Sequence, residues 1–444
     1  MSILGLDIGG ANIKGADEAG RTVSRPFAMW KHSERLADEL ASILCEFPHT
    51  ERIAVTMTAE LADCFATKSE GVRFIINAVE ASAGLLPVDV WTTAGRFVSA
   101  REAVSQPMLV AAANWHALAT WYGSELLVRH SSLVTPHSAL LIDIGTTTTD
   151  IIPLVDGRPV AQGMTDVGRL QTGELSYSGV KRTPLCAIAH AVPFRDGYFP
   201  LAAELFATTL DIYLLLGDIA EDEEDLETAN GQPATKTAAH DRLARMLCCD
   251  RDEVSFDEAV QIARFLADVQ RQRLAGSLER VASRFETPVE TVIVSGSGSF
   301  LARRLVAGNR RTVAAKIVSL DEQLTPGIAE AACAYAVAQL LALEARRASE
   351  GGRTKDFACA SGFDRLRPVE QQRRHANGIA HRGEIGGVAS QLVRQFVEER
   401  IARYGRCGQW LIDDFAIGRA RVEATVAVSP FCPFEHPTGS VAEQ

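Results

Sequence analysis

Two segments of this chain repeat one pattern, and the repeat limits the folds open to it. Residues 3–16 read ILGLDIGGANIKGA, and residues 140–153 read LLIDIGTTTTDIIP. In each, an apolar run ends in Asp-Ile-Gly, small or hydroxylated residues follow, and a second apolar run begins. The pattern predicts strand, tight turn, strand, with a turn backbone bare enough for a phosphate to approach. Two copies, each with an aspartate at the strand end, predict a duplicated fold whose halves face a shared phosphate site. Residues 292–299 (VIVSGSGS) add a third apolar strand running into a Gly/Ser loop.

The intervening patterns extend the prediction. Strands are expected at 3–8, 13–16, 22–27, 53–57 and 88–92, then at 138–143, 150–154, 291–295 and 312–318. Helices are expected at 33–47, where Leu36, Leu40, Ile43 and Leu44 share a face, around 77–83, and at 107–122, 201–216, 255–285 and 327–345. Residues 221–233 (EDEEDLETANGQP) are acidic and turn-rich, which predicts an exposed loop. Strand–strand–strand–helix–strand, then the same again, fits an α/β chain of the actin-like ATPase (ribonuclease H-like) architecture. That architecture is a duplicated two-domain fold with an interdomain phosphate-binding cleft. No GxxxxGK[ST] loop offers the alternative phosphate cradle. The expected domains are a first half at 1–106, a second half with helical insertions at 107–345, and a C-terminal extension at 346–444. The extension is Arg-rich with one Lys and reads as a small domain or a partly disordered tail.

Bulk properties exclude several classes. A net charge of −11 lacks the basic surplus of a general nucleic-acid binder. No apolar run reaches the roughly 20 residues a membrane helix requires. The nine cysteines form no CxxC pair and no zinc-like spacing, and no cleavable leader opens the chain, so the expected location is cytoplasmic. A homo-oligomer is compatible with all of this.

Candidate chemistry gathers at the turns. Asp7 and Asp143 end the first strand of each hairpin. Two carboxylates converging on phosphate oxygens make sense with a cation between them, and Mg²⁺ is the usual one. The plain alternative is that each aspartate caps its own turn. Gly9, Gly10 and Asn12, and Gly145 with Thr146, Thr147, Thr148 and Thr149, can offer backbone amides and hydroxyls to phosphate. Lys14 falls on the same side of its strand as Asn12, where its ammonium can neutralise a phosphate or simply meet solvent. Asp150 opens the second strand of its hairpin. Ser295, Gly296, Ser297 and Gly298 suit an adenosine, a second phosphate or an ordinary turn.

Residues 56–71 (TMTAELADCFATKSEG) put Thr58, Glu60, Asp63 and Lys68 straight after a strand, where active-site loops tend to lie. Glu60 or Asp63 can serve as a general base, whereas Thr58 or Asp63 can equally cap a helix. Cys64 has no histidine beside it in a nucleophile arrangement. Asn114, Trp115 and His116 form a polar trio in an apolar helix and need partners, from a ligand or from the core. Lys181 and Arg182 can meet an anion or face solvent.

Taken together, ILGLDIGGANIKGA, TMTAELADCFATKSEGV, AAANWHA, LLIDIGTTTTDIIPL, GELSYSGVKRTPLCA and VIVSGSGSFLA resemble the hydantoinase/oxoprolinase-related proteins of tetrahydromethanopterin-linked C1 transfer. The resemblance covers roughly residues 1–345. It implies a transferase of methanofuran biosynthesis, or of a bacterial methanofuran analogue. Such an enzyme joins an aminomethylfuranylmethyl diphosphate to the phenol oxygen of a tyramine- or tyrosine-based glutamate acceptor and releases diphosphate. Under this reading Lys14, Glu60, Asp63 and Asp143 are catalytic, Asp7 and Asp143 hold Mg²⁺, and Thr58, Asn114, Trp115 and Arg182 meet substrate. The alternative is an ATP-dependent hydantoinase-like hydrolase or small-molecule kinase. A nucleotide-sensing scaffold is the third reading.

Overall fold

A computed structural model of the chain describes residues 2–129 and 137–349. The chain divides into two compact units, Met1–Gly362 and Phe363–Gln444, and every described residue belongs to the first. The expected extension at 346–444 therefore lies, from residue 350 onward, outside the described residues.

Six strands build the first sheet: β1 (Ile3–Ile8), β2 (Asn12–Asp17), β3 (Thr22–Pro26), β4 (Arg52–Met57), β5 (Val88–Trp91) and β6 (Phe97–Ser99). Their order is β3-β2-β1-β4-β5-β6. The hairpin pairs run antiparallel, while β1, β4 and β5 run parallel. The second half adds β7 (Ser138–Ile144), β8 (Thr149–Val155), β9 (Arg158–Pro159) and β10 (Leu175–Ser176). A separate hairpin, β11 (Ala191–Phe194) and β12 (Gly197–Pro200), precedes β13 (Thr291–Ser295) and β14 (Lys316–Ser319). The second sheet runs β10-β8-β7-β13-β14, with β9 beside β8. Here β7 is antiparallel to β8 and parallel to β13. Strand for strand, this repeats the first five of the other sheet.

The central strands are apolar on both faces because helices cover both sides. Leu4, Leu6 and Ile8 of β1 point into the first half's own core, with Ile43, Val55 and Ile76. Leu140, Ile142 and Ile144 of β7 do the same in the second half. The opposite faces meet in a third core, where Ile3, Ala54, Leu141 and Ile293 pack against the helices Asn114–Arg129 and Ala332–Ser349. Gly5 lets the latter helix lie directly on β1: a Cβ there would collide with the backbone of Ala334. Along this shared inner face the apolar positions give way to Asp7, Asp143 and Ser295. Alternation thus places the polar ends of three strands on one side.

Several helices differ from the expected ranges. The helix expected at 201–216 spans only Thr209–Leu216, because Thr208 and Asp211 cap each other reciprocally at its start. Residues 312–315 form a turn rather than strand, tied by the Thr312 hydroxyl donating to the Val306 carbonyl at 3.0 Å, so β14 begins at Lys316. The segment 107–122 is a short 3-10 turn, Pro107–Leu109, followed by a helix that starts at Asn114; between them Ala112 sits at φ 48°. The closing helix breaks near Ala331 into Pro326–Glu330 and Ala332–Ser349. The helix around 77–83 is the tail of Lys68–Ala83. The long helix Phe256–Ala282 follows its capping box of Ser255 and Glu258.

Candidate active site

Asp7 and Lys14 are register partners across β1 and β2, and Asp143 and Asp150 across β7 and β8. Burial pushes Asp7 up to about 6, with Lys14 pulling the other way. Burial also pushes Asp143 up to about 7; Asp150 and Asp7 raise it further, while Lys14 and a hydrogen bond from Ser295 oppose the rise. Each half thus brings one aspartate into the other's field. Asp7 Oδ1 is shut away from solvent and has no hydrogen-bond partner. Lys14 donates to the Glu330 carbonyl at 2.7 Å, which fixes its ammonium at the break in the closing helix. Cys333 lies in the same field, its thiol raised by burial and by Asp7 and Asp143.

The three loops are shaped by close approaches. Gly9 donates its amide to the Asn12 carbonyl at 2.9 Å, closing the first turn, and an added Cβ at Gly10 meets nothing within 4 Å. Gly145 closes the second turn onto Thr148 in the same way, at 2.9 Å. The Thr146 carbonyl accepts from the amides of Lys181 and Arg182 at 3.0 and 2.9 Å, so Arg182 sits against this turn. In the third loop Gly296 has φ +84°, and a Cβ there would strike Asp143 Oδ1. Gly298 donates to the Ile144 carbonyl at 2.8 Å, and Ser297 is exposed. Thr147 is half-buried in its turn. Thr58 donates its amide to Ile8 at 3.0 Å, and its hydroxyl lies beside Gly9.

Glu60 and Asp63 part company. Glu60 lies in the 3-10 turn Ala59–Leu61 and is 1% exposed; Asp63 is on the surface. Gly71 permits the burial, since a Cβ there would collide with the Glu60 backbone. Burial pushes Glu60 up to about 7. Its own amide, Lys68 and the Ala112 amide act against the rise, while Asp166 adds to it. Glu60 Oε2 has no partner.

Lys68 forms an ion pair with Asp166, at the start of the helix Asp166–Thr172. The same helix supplies Arg169, which is 2% exposed and ion-paired with Asp150. Its guanidinium covers the Trp115 ring at 4.1 Å. Burial, with Arg169 adding to it, pushes His116 down to about 4, so the ring is neutral near pH 7. Trp115 is buried, and Asn114 accepts from the Trp115 amide at 2.8 Å. Arg182 reaches over the exposed Trp30 of the first half at 4.8 Å, and Lys181 pairs with Asp225 and Glu227. The acidic loop is therefore exposed as expected, yet it anchors Lys181.

Sequence reading passed over Thr56, Trp91, Ala112, Asp166, Arg169 and Cys333. TDVGRLQTG carries the one available signal: a threonine cap ahead of a short helix ending in glycine. Among the described residues no three His, Cys, Asp or Glu side chains enclose a metal ion. The carboxylate oxygens of Asp7 and Asp143 are nonetheless the hard donors that Mg²⁺ takes along with retained water.

The repeated strand order, with polar strand ends contributed by both halves, is the duplicated α/β arrangement of the actin-like (ribonuclease H-like) fold. The chain belongs to the hydantoinase/oxoprolinase family, whose model matches residues 51–342. It is 33% identical, over 77% of its length and 98% of the relative's, to the (4-{4-[2-(gamma-L-glutamylamino)ethyl]phenoxymethyl}furan-2-yl)methanamine synthase of Methanocaldococcus jannaschii. The protein of that name from Methanococcus vannielii is 30% identical over 46% of this chain and 90% of its own. Among solved structures, the ROK hexokinase of Thermus thermophilus aligns at 15% identity and TM-score 0.36, covering 78% of this chain and all of that one. No helix among the described residues is long and apolar enough to cross a membrane.

Proposed function

We propose that this chain is a transferase of methanofuran biosynthesis or of a bacterial methanofuran analogue. It joins an aminomethylfuranylmethyl diphosphate to the phenol oxygen of a tyramine- or tyrosine-based glutamate acceptor. The carbon–oxygen bond to diphosphate breaks and its electron pair leaves with the diphosphate. The phenol oxygen forms the new bond and gives up its proton. The observation that carries this reading is Glu60: a buried carboxyl, held near neutrality, with one unmatched oxygen, in the same first half as the phosphate-type turn at Gly9 and Gly10. A base poised near 7 is what removal of a phenol proton requires. Glu60 fits that role better than Asp63, which stands in water.

Asp7 and Asp143 would hold Mg²⁺, whose charge would stabilise the departing diphosphate. Lys14 adds fixed positive charge on the same side, and the turn amides of Gly9, Gly10 and Gly145 supply neutral donors. The family relationship to the two archaeal synthases supports the substrate class.

The Ser295–Gly298 loop beside Asp143 favours a second reading, an ATP-dependent hydrolase or kinase. One experiment separates them. Purified protein is incubated with Mg²⁺, the furan diphosphate and tyramine- or tyrosine-based acceptors, and diphosphate release is followed. Release that requires both substrates supports the transferase. ATP hydrolysis with no furan substrate, and no release from the furan diphosphate, overturns it.

A further inference from the structure

Thr56 follows Val55 on β4 and is the register partner of Asp7 on β1. Trp91 follows Val90, the partner of Val55, so it stands beside Thr56 on the same inner face. Lys14, Asp7, Thr56 and Trp91 thus form one row across β2, β1, β4 and β5. Thr56 is fully buried and Trp91 is 2% exposed, yet Thr56 Oγ1 and Trp91 Nε1 have no hydrogen-bond partner. Orphaned buried donors are rare in folded proteins, because each forfeits the hydrogen bonds it would make to water. Two at neighbouring positions, next to Asp7, mark a place where something else supplies the partner.

We propose that Thr56 and Trp91 form a subsite for the neutral hydroxyl of an aromatic acceptor. The donor set selects that chemistry. An indole N–H only donates, and a threonine hydroxyl both donates and accepts. A hydroxyl oxygen can accept from both. A bare anion, without the cation that Asp7 and Asp143 would hold for a diphosphate, would meet the fields of those carboxylates, and an ammonium would leave the indole donor unmatched. Trp91 itself stands among aromatic rings: Phe97 meets it edge-on at 4.9 Å, and the His116 ring lies 5.9 Å from it. Next to Asp7, the hydroxyl would sit at the phosphate end of the row. This assignment rests on the transferase reading and names the half of the cleft that takes the acceptor.

The test uses the full chain, with tyramine and inorganic diphosphate as separate probes in calorimetry, and Thr56→Val, Thr56→Ser and Trp91→Phe as variants. Each of Thr56→Val and Trp91→Phe is expected to weaken tyramine at least about tenfold. Diphosphate affinity should stay within about twofold, and Thr56→Ser should retain tyramine binding. Because Thr56→Val removes an unmet polar atom, its melting temperature should not fall. Tyramine bound equally by wild type and Thr56→Val overturns the subsite. So does wild type that binds diphosphate but not tyramine, which would leave a water-filled gap only. Absence of diphosphate release from the furan substrate would instead sink the reaction, while the tyramine measurement still decides the subsite.

Discussion

Arg169 forms an ion pair with Asp150, which faces Asp143 across the β7–β8 pair. The two aspartates therefore differ in kind although the hairpin presents them together. Asp150 is committed to a buried cation, whereas Asp143 keeps a raised affinity for protons and lies in the field of Asp7.

Replacing Arg169 by Met should destabilise the protein by about 3–5 kcal/mol, because Asp150 would be left as an uncompensated, largely buried charge. Adding Asp150→Asn should recover a large part of that loss. A double-mutant cycle from urea unfolding measures the coupling, and additive single effects would show that the pair is not coupled.

Glu60→Gln should lower turnover at least about a hundredfold, while Asp63→Asn stays within a few-fold. Wild-type turnover should rise as pH increases through about 7, where Glu60 ionises, and the Gln variant should lose that limb. Near-normal turnover in Glu60→Gln would remove Glu60 as the base.

The same residue predicts a stability profile. Glu60 is raised from 4.5 in the unfolded chain to about 7 in the folded one. Between those values the native state holds the proton more tightly. Its contribution to stability is therefore full below 4.5, is lost as pH rises to about 7, and stays flat above. Glu60→Gln should melt about 3 °C or more above wild type at pH 8, with a smaller gap at pH 5. Equal gaps at both values would contradict the assignment.

Two glycines should respond in opposite ways. Gly10→Ala meets open space and should shift the melting temperature by no more than about 1 °C, yet weaken diphosphate-bearing substrates about tenfold by blocking the turn. Gly296→Ala has a positive φ and a collision with Asp143, so it should cost on the order of 2 kcal/mol of stability and lower turnover. Unfolding curves and Michaelis constants for each variant check both.

The two hairpins were legible because each is local: strand, turn and aspartate lie within a few residues. The alternation that carries Ile3, Gly5 and Asp7 onto one face could be counted off the chain. Glu60 and Asp63 could not be separated that way. Glu60 is buried because Gly71 admits its backbone and Ala112 turns an amide toward it, and neither is implied by MTAELADCF. Arg169 was invisible for a related reason, since its partners Asp150 and Trp115 come from different elements. The helix start at Thr209 depended on a capping pair that the apolar run around it concealed. Local periodicity reports which face a side chain takes; the distant residues that meet it decide its charge.

The contact between Gly5 and the backbone of Ala334 has a consequence for synthesis. β1 leaves the ribosome long before the helix Ala332–Ser349 that covers its inner face. Until then one side of the first sheet stays bare, including the edge that carries Asp7 and Thr56. The inner face of the first sheet is therefore covered only when that late helix docks.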